Sequence, residues 1–525
     1  MDEFQDLTPA HVLLLRLLSL PALDVFGVGD DDQCIYGHAG ADPAFLIDFA
    51  TLFPAADEHA LRVNYRCPVE VVTGAAHLLG YNDRRITKDI VAGPDSDAAV
   101  GSLRVVEHGP DRGAVTLVEV IQSWLTEPGV DPAGMAVLSR VNSLLLAPHV
   151  ALHDAGVPIK SVLSPDVLGR TGLRAALAYL RIATHPDGFD RKDVVEILRR
   201  PTRGLPQWFT ERLGRRATWT VGTIAGMAGY VSDKDAVKVE RLADDLRLVV
   251  DAGRRGTTRH ILETVRDDVG LGSAMSLLDR TGSGQGSSHL DDLEGLLGVA
   301  DLHPDPATFD AWLGDAFRRE ADADGVTLST IHRVKGREWD RIAVFGVSDG
   351  VLPHRLADDI EEERRVLHVA ITRGRHRVAV LTDRTRRSEF LEELAGTATR
   401  RPRRPRSPEP FTRPSTGRNS TRSQPTVDIE LVGAYAAAEQ ALREWRRQRS
   451  QLDGVPAYVV VNDRYLRGIA SVMPTSLAEL VTCDGIGPAK LERYGEQILE
   501  VLADVAMHFS GPPEEGAGST ANDPK

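Results

Sequence analysis

The chain is 525 residues long, 42% hydrophobic and 26% charged, with 62 basic against 76 acidic side chains, a formal net charge of −14 and three cysteines. This composition excludes a wholly disordered chain, and the length suffices for about three or four domains. Cys34, Cys67 and Cys483 are too few and too scattered for a disulfide framework or a four-thiolate zinc site, so a reducing cytoplasm and no bound zinc are expected.

The chain opens Met1-Asp2-Glu3-Phe4-Gln5-Asp6, an acidic cluster of the kind that ends a core strand in nucleotide hydrolases. There one carboxylate holds magnesium and its neighbour orients or deprotonates the attacking water. Alone it weighs little, because an acidic stretch is more often plain solvated charge. The apolar run Val12 to Leu20 is short, broken by Arg16 and preceded by acidic residues, so it reads as neither a signal peptide nor a membrane span.

Residues 23 to 29 read as a short buried strand running into an acidic loop, which places the Gln33 amide at a strand's carboxyl end, where it would sense a phosphate. Ala60 to Val63 reads as another strand, ending at Asn64-Tyr65-Arg66: a ring for a base and a guanidinium for a phosphate. Met135 to Leu138, Val326 to Ser329, Ile342 to Phe345 and Val378 to Leu381 are similar apolar runs. Alternating with helical stretches such as Glu361 to Ile371, they predict an α/β fold with parallel sheets covered on both faces. Between about 171 and 320 amphipathic helices follow one another, among them Leu173 to Ile182, Val194 to Leu198 and Val239 to Val250, so a helical insert is expected.

Thr327 to Asp340 (TLSTIHRVKGREWD) is expected to join strand to helix, and Glu361 to Arg373 (EEERRVLHVAITR) to deliver Arg373 to a helix end. Residues 397 to 427 are rich in Arg, Pro, Ser and Thr and cannot bury a core, so they read as a solvated linker. Apolar periodicity returns from Ile429 to about Val505, a small helical domain, before a frayed tail.

Taken singly, these segments have bland readings: Tyr65 as a core ring, Arg66 and Arg373 as surface ion pairs, Glu361 to Glu363 as a solvated helix face. Five of them in this order resemble the superfamily 1 DNA helicases of the UvrD, Rep and PcrA family over nearly all of residues 1 to 395. The resemblance implies ATP and Mg²⁺ as cofactors. It implies that Asp2 binds Mg²⁺ and Glu3 is the catalytic base. Gln33 would couple the γ-phosphate to DNA contacts, Tyr65 stack on adenine and Arg66 reach the γ-phosphate. Gly336 and Glu338 would belong to the nucleotide site, with Glu338 at the ribose, and Arg373 would be the arginine finger. Tyr36, His38, His332 and Lys335 would line a channel for single-stranded DNA. His38-Ala39 stands where the family carries Trp-Arg, which implies weaker stacking and one contact fewer.

The resemblance implies RecA-like sheet domains with a helical 2B-type insert and a small all-α C-terminal domain. The expected boundaries are 1–60 and 61–170, the insert at 171–322, then 323–396, the linker at 397–427, the helical domain at 428–505 and the tail at 506–525. Gly172 to Pro201 resembles the start of the 2B subdomain. REWRRQRS together with TSLAELVTCDGIGPAKLERYG resembles an HRDC domain, in which Gly485, Gly487 and Lys490 either meet a phosphate at a helix start or form a plain helix-entry turn.

A helicase of this kind needs a phosphate-cradling loop, G-x-x-x-x-G-K-[ST], and none of the eight lysines follows a glycine. In the family that loop lies upstream of the acidic motif. The expectation is therefore a 3′-to-5′ DNA helicase or translocase of repair or replication, acting on single-stranded and partly duplex DNA, whose first RecA-like domain is incomplete in this chain. The alternatives are a catalytically inactive DNA-binding remnant, or one subunit of a split helicase whose loop comes from a separate polypeptide. Arg400 to Arg422 holds eight arginines against the single acid Glu409, so net acidity conceals a basic segment that either grips DNA or acts as a spacer, the spacer being favoured. No membrane association is expected.

Overall fold

A computed structural model describes residues 1–54, 56–205, 207–213, 217–279, 288–318, 322–357, 359–399, 434–453, 461, 463–481, 483 and 488–509. The chain divides into two compact units, 1–276 with 284–401 and 277–283 with 402–525. The basic linker lies almost wholly outside the described residues, as do Gly485 and Gly487.

The described strands are β1 (Val63–Asn64), β2 (Val91–Ala92), β3 (Leu103–His108), β4 (Met135–Ser139), β5 (Ile159–Ser161), β6 (Phe189–Asp190), β7 (Thr218–Trp219), β8 (Val326–Thr330), β9 (Trp339–Phe345) and β10 (Gly374–Asp383). Six of them form one sheet in the order β3-β10-β9-β4-β8-β5, with every pairing parallel. A strand alternates its side chains between faces. Ala136, Leu138, Ile342, Val344, Val378 and Val380 accordingly pack on one side with Val71, Val72 and Leu78 of helix Val69–Leu79 and Val366 and Leu367 of helix Ile360–Ile371. Met135, Val137, Ala343, Phe345, Ala379 and Leu381 pack on the other with Leu117, Ile121 and Trp124 of helix Gly113–Leu125. Both faces are covered, which is why these strands read as unbroken apolar runs.

The expected strand at 23–29 does not form. Val28 exchanges backbone hydrogen bonds with Met1 and Phe4, but Phe26 is 80% exposed and no regular ladder develops. Ala60 to Val63 contracts to β1, which meets only β2. The segment after β8 is not a helix either: a single 3₁₀ turn, Ile331–Val334, leads into β9. β3 and β5 were not among the expected strands, because β3 exposes Arg104, Val105 and Glu107 and β5 is only three residues long.

The insert is helical as expected. In helix Asp233–Arg255 the Ser232 side chain caps the amino end, acids occupy the first turn, Arg254 and Arg255 the last, and Val239, Leu242, Ala243, Leu246, Val249 and Val250 form the buried stripe. Helix His289–Ala300 approaches residues 142–145 so closely at Gly295 that a Cβ there would collide with the Ser143 carbonyl. The second unit contains helices Ala434–Asp453, Asp463–Val472, Leu477–Leu480 and Pro488–Phe509, packed through Ala438, Leu442, Leu466, Ile469, Tyr494, Ile498 and Leu502. Among the described residues no helix is long and apolar enough to cross a membrane.

His149, 7% exposed, stacks on Phe317 at 4.3 Å with its Nε2 against the Ala316 carbonyl at 3.2 Å, and burial pushes its imidazole down to about 4. The unfolded chain takes up a proton there below about pH 6.5 and the folded chain refuses it until about pH 4, so stability is full above 6.5 and falls through that window by on the order of 3 kcal/mol. Urea unfolding at pH 7.5 and pH 4.5 checks this: His149→Gln should flatten the pH dependence, and an unchanged slope would contradict the assignment.

Candidate functional site

The acidic motif is anchored by Phe4, fully buried among Phe49 and Phe53. Glu3 adopts a left-handed backbone (φ 52°) and donates its amide to Asp2 Oδ1 at 2.9 Å. Gln5, 1% exposed, uses both ends of its amide: Nε2 donates to the Glu3 carboxylate, and Oε1 accepts from the Asp30 amide at 2.9 Å. Asp2 is exposed, and with Oδ1 held by the Glu3 amide its carboxylate is an oxygen donor of the kind that suits Mg²⁺ shared with substrate phosphates.

Gln33 follows in the next turn. Its Nε2 donates to Asp30 Oδ2 at 2.7 Å, which turns Oε1 toward Arg373, whose Nη2 donates to it at 3.0 Å. Arg373 lies just past helix Ile360–Ile371, as the sequence predicts, and is 2% exposed. Its other described bond runs from Nε to the Val369 carbonyl at 3.1 Å. Among the described residues no carboxylate comes within ion-pair distance of it, and burial, reinforced by the nearby Arg66 cation, lowers its pKa. Such a guanidinium lacks an anion.

Arg66 donates through Nε to Glu338 and through Nη1 to the Thr372 carbonyl at 3.5 Å. Arg375, two residues beyond Arg373, bonds the other oxygen of Glu338 and is the main cause of that carboxyl's lowered pKa. Asn64 Oδ1 accepts from the amides of Arg66 and Cys67, both at 2.9 Å, which fixes the turn carrying Tyr65 and leaves that ring 79% exposed. Gly336 sits at φ +81°, a conformation that favours glycine, between Lys335 and Glu338.

Of the residues expected along a DNA channel, three cluster. The Tyr36 hydroxyl donates to the His332 carbonyl at 2.6 Å and the two rings lie 6.3 Å apart. Lys335 approaches the Tyr36 ring at 5.6 Å, but its ammonium is turned into the acidic motif, 2.6 Å from Asp6 and 3.2 Å from Glu3. Burial raises the Asp6 carboxyl against the pull of Lys335. His38 lies in the 3₁₀ turn Gly37–Ala39.

Sequence reasoning missed several members of this region. Glu361 to Glu363 is not a solvated face: Glu361 accepts from the amides of Asp83 and Arg84, Glu362 from that of Gly37, and Glu363, 1% exposed, grips Arg140 through Nη2 at 2.7 Å. Gln5 and Asp30 were also passed over, although both stand within three residues of predicted site positions.

Family models match three stretches: the UvrD/REP helicase N-terminal domain at residues 1–54, the UvrD-like helicase C-terminal domain at 311–384, and the HRDC domain at 436–502. Among curated proteins, the chain is 28% identical over 541 residues to ATP-dependent DNA helicase UvrD2 of Mycobacterium tuberculosis (strain ATCC 25618 / H37Rv), covering 96% of this chain and 66% of that protein. It is 27% identical to DNA helicase II of Escherichia coli (strain K12), with 75% and 58% covered, and 25% identical to ATP-dependent DNA helicase PcrA of Staphylococcus epidermidis (strain ATCC 12228 / FDA PCI 1200), with 75% and 57% covered. The chain thus spans about three-fifths of the length of these relatives. The matched stretches follow one another in the order UvrD/REP helicase N-terminal domain, UvrD-like helicase C-terminal domain, HRDC domain.

Proposed function

We propose that this chain belongs to a motor that couples ATP hydrolysis to 3′-to-5′ movement on single-stranded DNA, in repair or replication. The observation that supports it most is Arg373: a buried guanidinium held by two neutral acceptors, Gln33 and the Val369 carbonyl, beside Arg66. A buried cation costs several kcal/mol unless an anion reaches it, and a transferring phosphoryl group is the anion such a donor set stabilises best. Tyr65 offers an open ring for adenine, and Arg66 and Glu338 stand beside it for the phosphates and ribose. Asp2 would hold Mg²⁺, which would supply charge neutralisation between phosphate oxygens. Glu3, its carboxylate fixed by Gln5, would orient water and take its proton. Gln33, bonded to Arg373 three residues ahead of Tyr36, would relay the state of the phosphate site to the rings of Tyr36 and His332.

DNA binding by the purified chain, followed by fluorescence anisotropy of a labelled single-stranded oligonucleotide, should weaken steeply as salt rises. His332→Ala should cost roughly tenfold in affinity, the loss of about one stacked base. Arg373→Ala should leave DNA affinity unchanged and, in the motor completed with a phosphate-cradling loop, lower DNA-stimulated ATP hydrolysis by on the order of 10³. Equal losses of DNA binding in both variants would overturn the division of roles.

A second reading, that another polypeptide segment completes this motor, is favoured by an apolar surface. Leu13, Leu14, Leu17 and Leu18 on helix Pro9–Leu18 are 54–75% exposed, with Leu20 at 57% and Phe26 at 80% beside them. Exposed apolar residues in such a contiguous run mark an interaction face. A partner carrying the phosphate-cradling loop should therefore co-purify with the chain and restore ATP hydrolysis, and Leu17→Asp should abolish its capture. Full ATPase activity from the chain alone would count against this reading.

A further inference from the structure

Asp30, Asp31 and Asp32 bring carboxylate oxygens within 4.8 Å of one another, and Asp31 and Asp32 are 0% and 2% exposed. Three carboxylates at that spacing require a cation, and the chain supplies one. The Lys88 ammonium donates to Asp30 Oδ1 and Asp31 Oδ1, both at 2.6 Å, and stands at ion-pair distance, 3.1 Å, from Asp32 Oδ2. Arg85 Nε and the Ile86 amide take up further oxygens of Asp32 and Asp31 at 2.7 and 2.8 Å. Where a metal ion would otherwise sit, a tethered ammonium already does.

The consequence runs through Asp30. One of its oxygens is bound to Lys88 and the other receives Gln33 Nε2, so the lysine fixes the carboxylate that orients the Gln33 amide, and that orientation aims Oε1 at Arg373. A guanidinium only donates, so Oε1 is the end that must face Arg373, and Asp30, by accepting from Nε2, holds the amide in that same orientation. We propose that Lys88 is a positioning residue of the phosphate site, which sets Gln33 against Arg373 through Asp30. It contacts none of the reacting atoms, and the proposal rests on the reading of Gln33 and Arg373 as phosphate-facing residues.

Phenylglyoxal labelling of arginines, mapped by mass spectrometry on the full chain, tests the positioning without requiring ATP hydrolysis. Lys88→Met should speed modification of Arg373 by roughly tenfold, the loss of one charge-assisted hydrogen bond. Gln33→Ala should do the same, and the double variant should be no faster than either single one. Arg203, whose side chain is 3% exposed but held by Asp245 and Tyr179, is the control and should not change. Faster labelling of both arginines would mean general loosening and overturn the proposal, as would no change at Arg373 or additive effects in the double variant. Should K88M not fold, Lys88→Gln, which keeps donors but not charge, takes its place with the same expected and overturning outcomes. Loss of ATPase or DNA binding in the wild-type chain would bear on the proposed motor, not on this geometry.

Discussion

A guanidinium buried to 2% exposure with no carboxylate in ion-pair reach among the described residues is a costly arrangement, and much of this unit is built around holding one there. Arg373 keeps its place because the helix before it is locked at its opposite end. Glu361, Glu362 and Glu363 accept hydrogen bonds from four separate parts of the chain: the amides of Asp83 and Arg84, the amide of Gly37, the guanidinium of Arg140 and the amide of His354. Asp359 caps the same helix through the Glu361 amide at 2.8 Å. Acids at a helix amino end are favoured by the macrodipole, so the helix tolerates this load without strain. A rod fixed at one end by charge and along its length by Val366, Leu367, Val369 and Ala370 in the core delivers the residue at its other end to a defined point.

The parallel sheet supplies the frame for that point. All six strands run the same way, so their carboxyl ends gather on one edge. β4 ends ahead of Arg140 and β8 leads into the turn with His332 and Lys335 at that edge, whereas Arg373, directly before β10, stands at the opposite, amino-terminal edge. Residues far apart in sequence thereby reach one edge through short connections, which explains how Glu363 and Arg140, or Tyr36 and His332, come into contact. Lys335 shows the other side of this crowding. With Asp6 at 2.6 Å and Glu3 at 3.2 Å its charge is already matched, and a DNA phosphate would have to displace those carboxylates to use it.

What the sequence disclosed follows from how local each signal is. Strands buried on both faces announce themselves as apolar runs, so β4, β8, β9 and β10 were legible. β3 was not, since it exposes Arg104 and Glu107, and the stretch at 23–29 has a strand's composition without a ladder of partners. Motif order located Gln33, Arg66, Glu338 and Arg373, and the structure brings Gln33 to Arg373 and Arg66 to Glu338.

The residues that hold those side chains in place were invisible for the converse reason. Gln5 and Lys88 act across 25 and 58 positions, and nothing in the local pattern around a lysine in Arg-Ile-Thr-Lys-Asp says that three aspartates face it. A catalytic group must present a particular atom, which restricts its type and its neighbours and so leaves a motif. A supporting group need only supply charge or a donor at a point in space, and many sequences meet that condition. Recognition by motif therefore finds the residues proposed to meet phosphate or base and passes over those that hold them, and only the folded chain shows that Asp30 stands between Lys88 and Gln33.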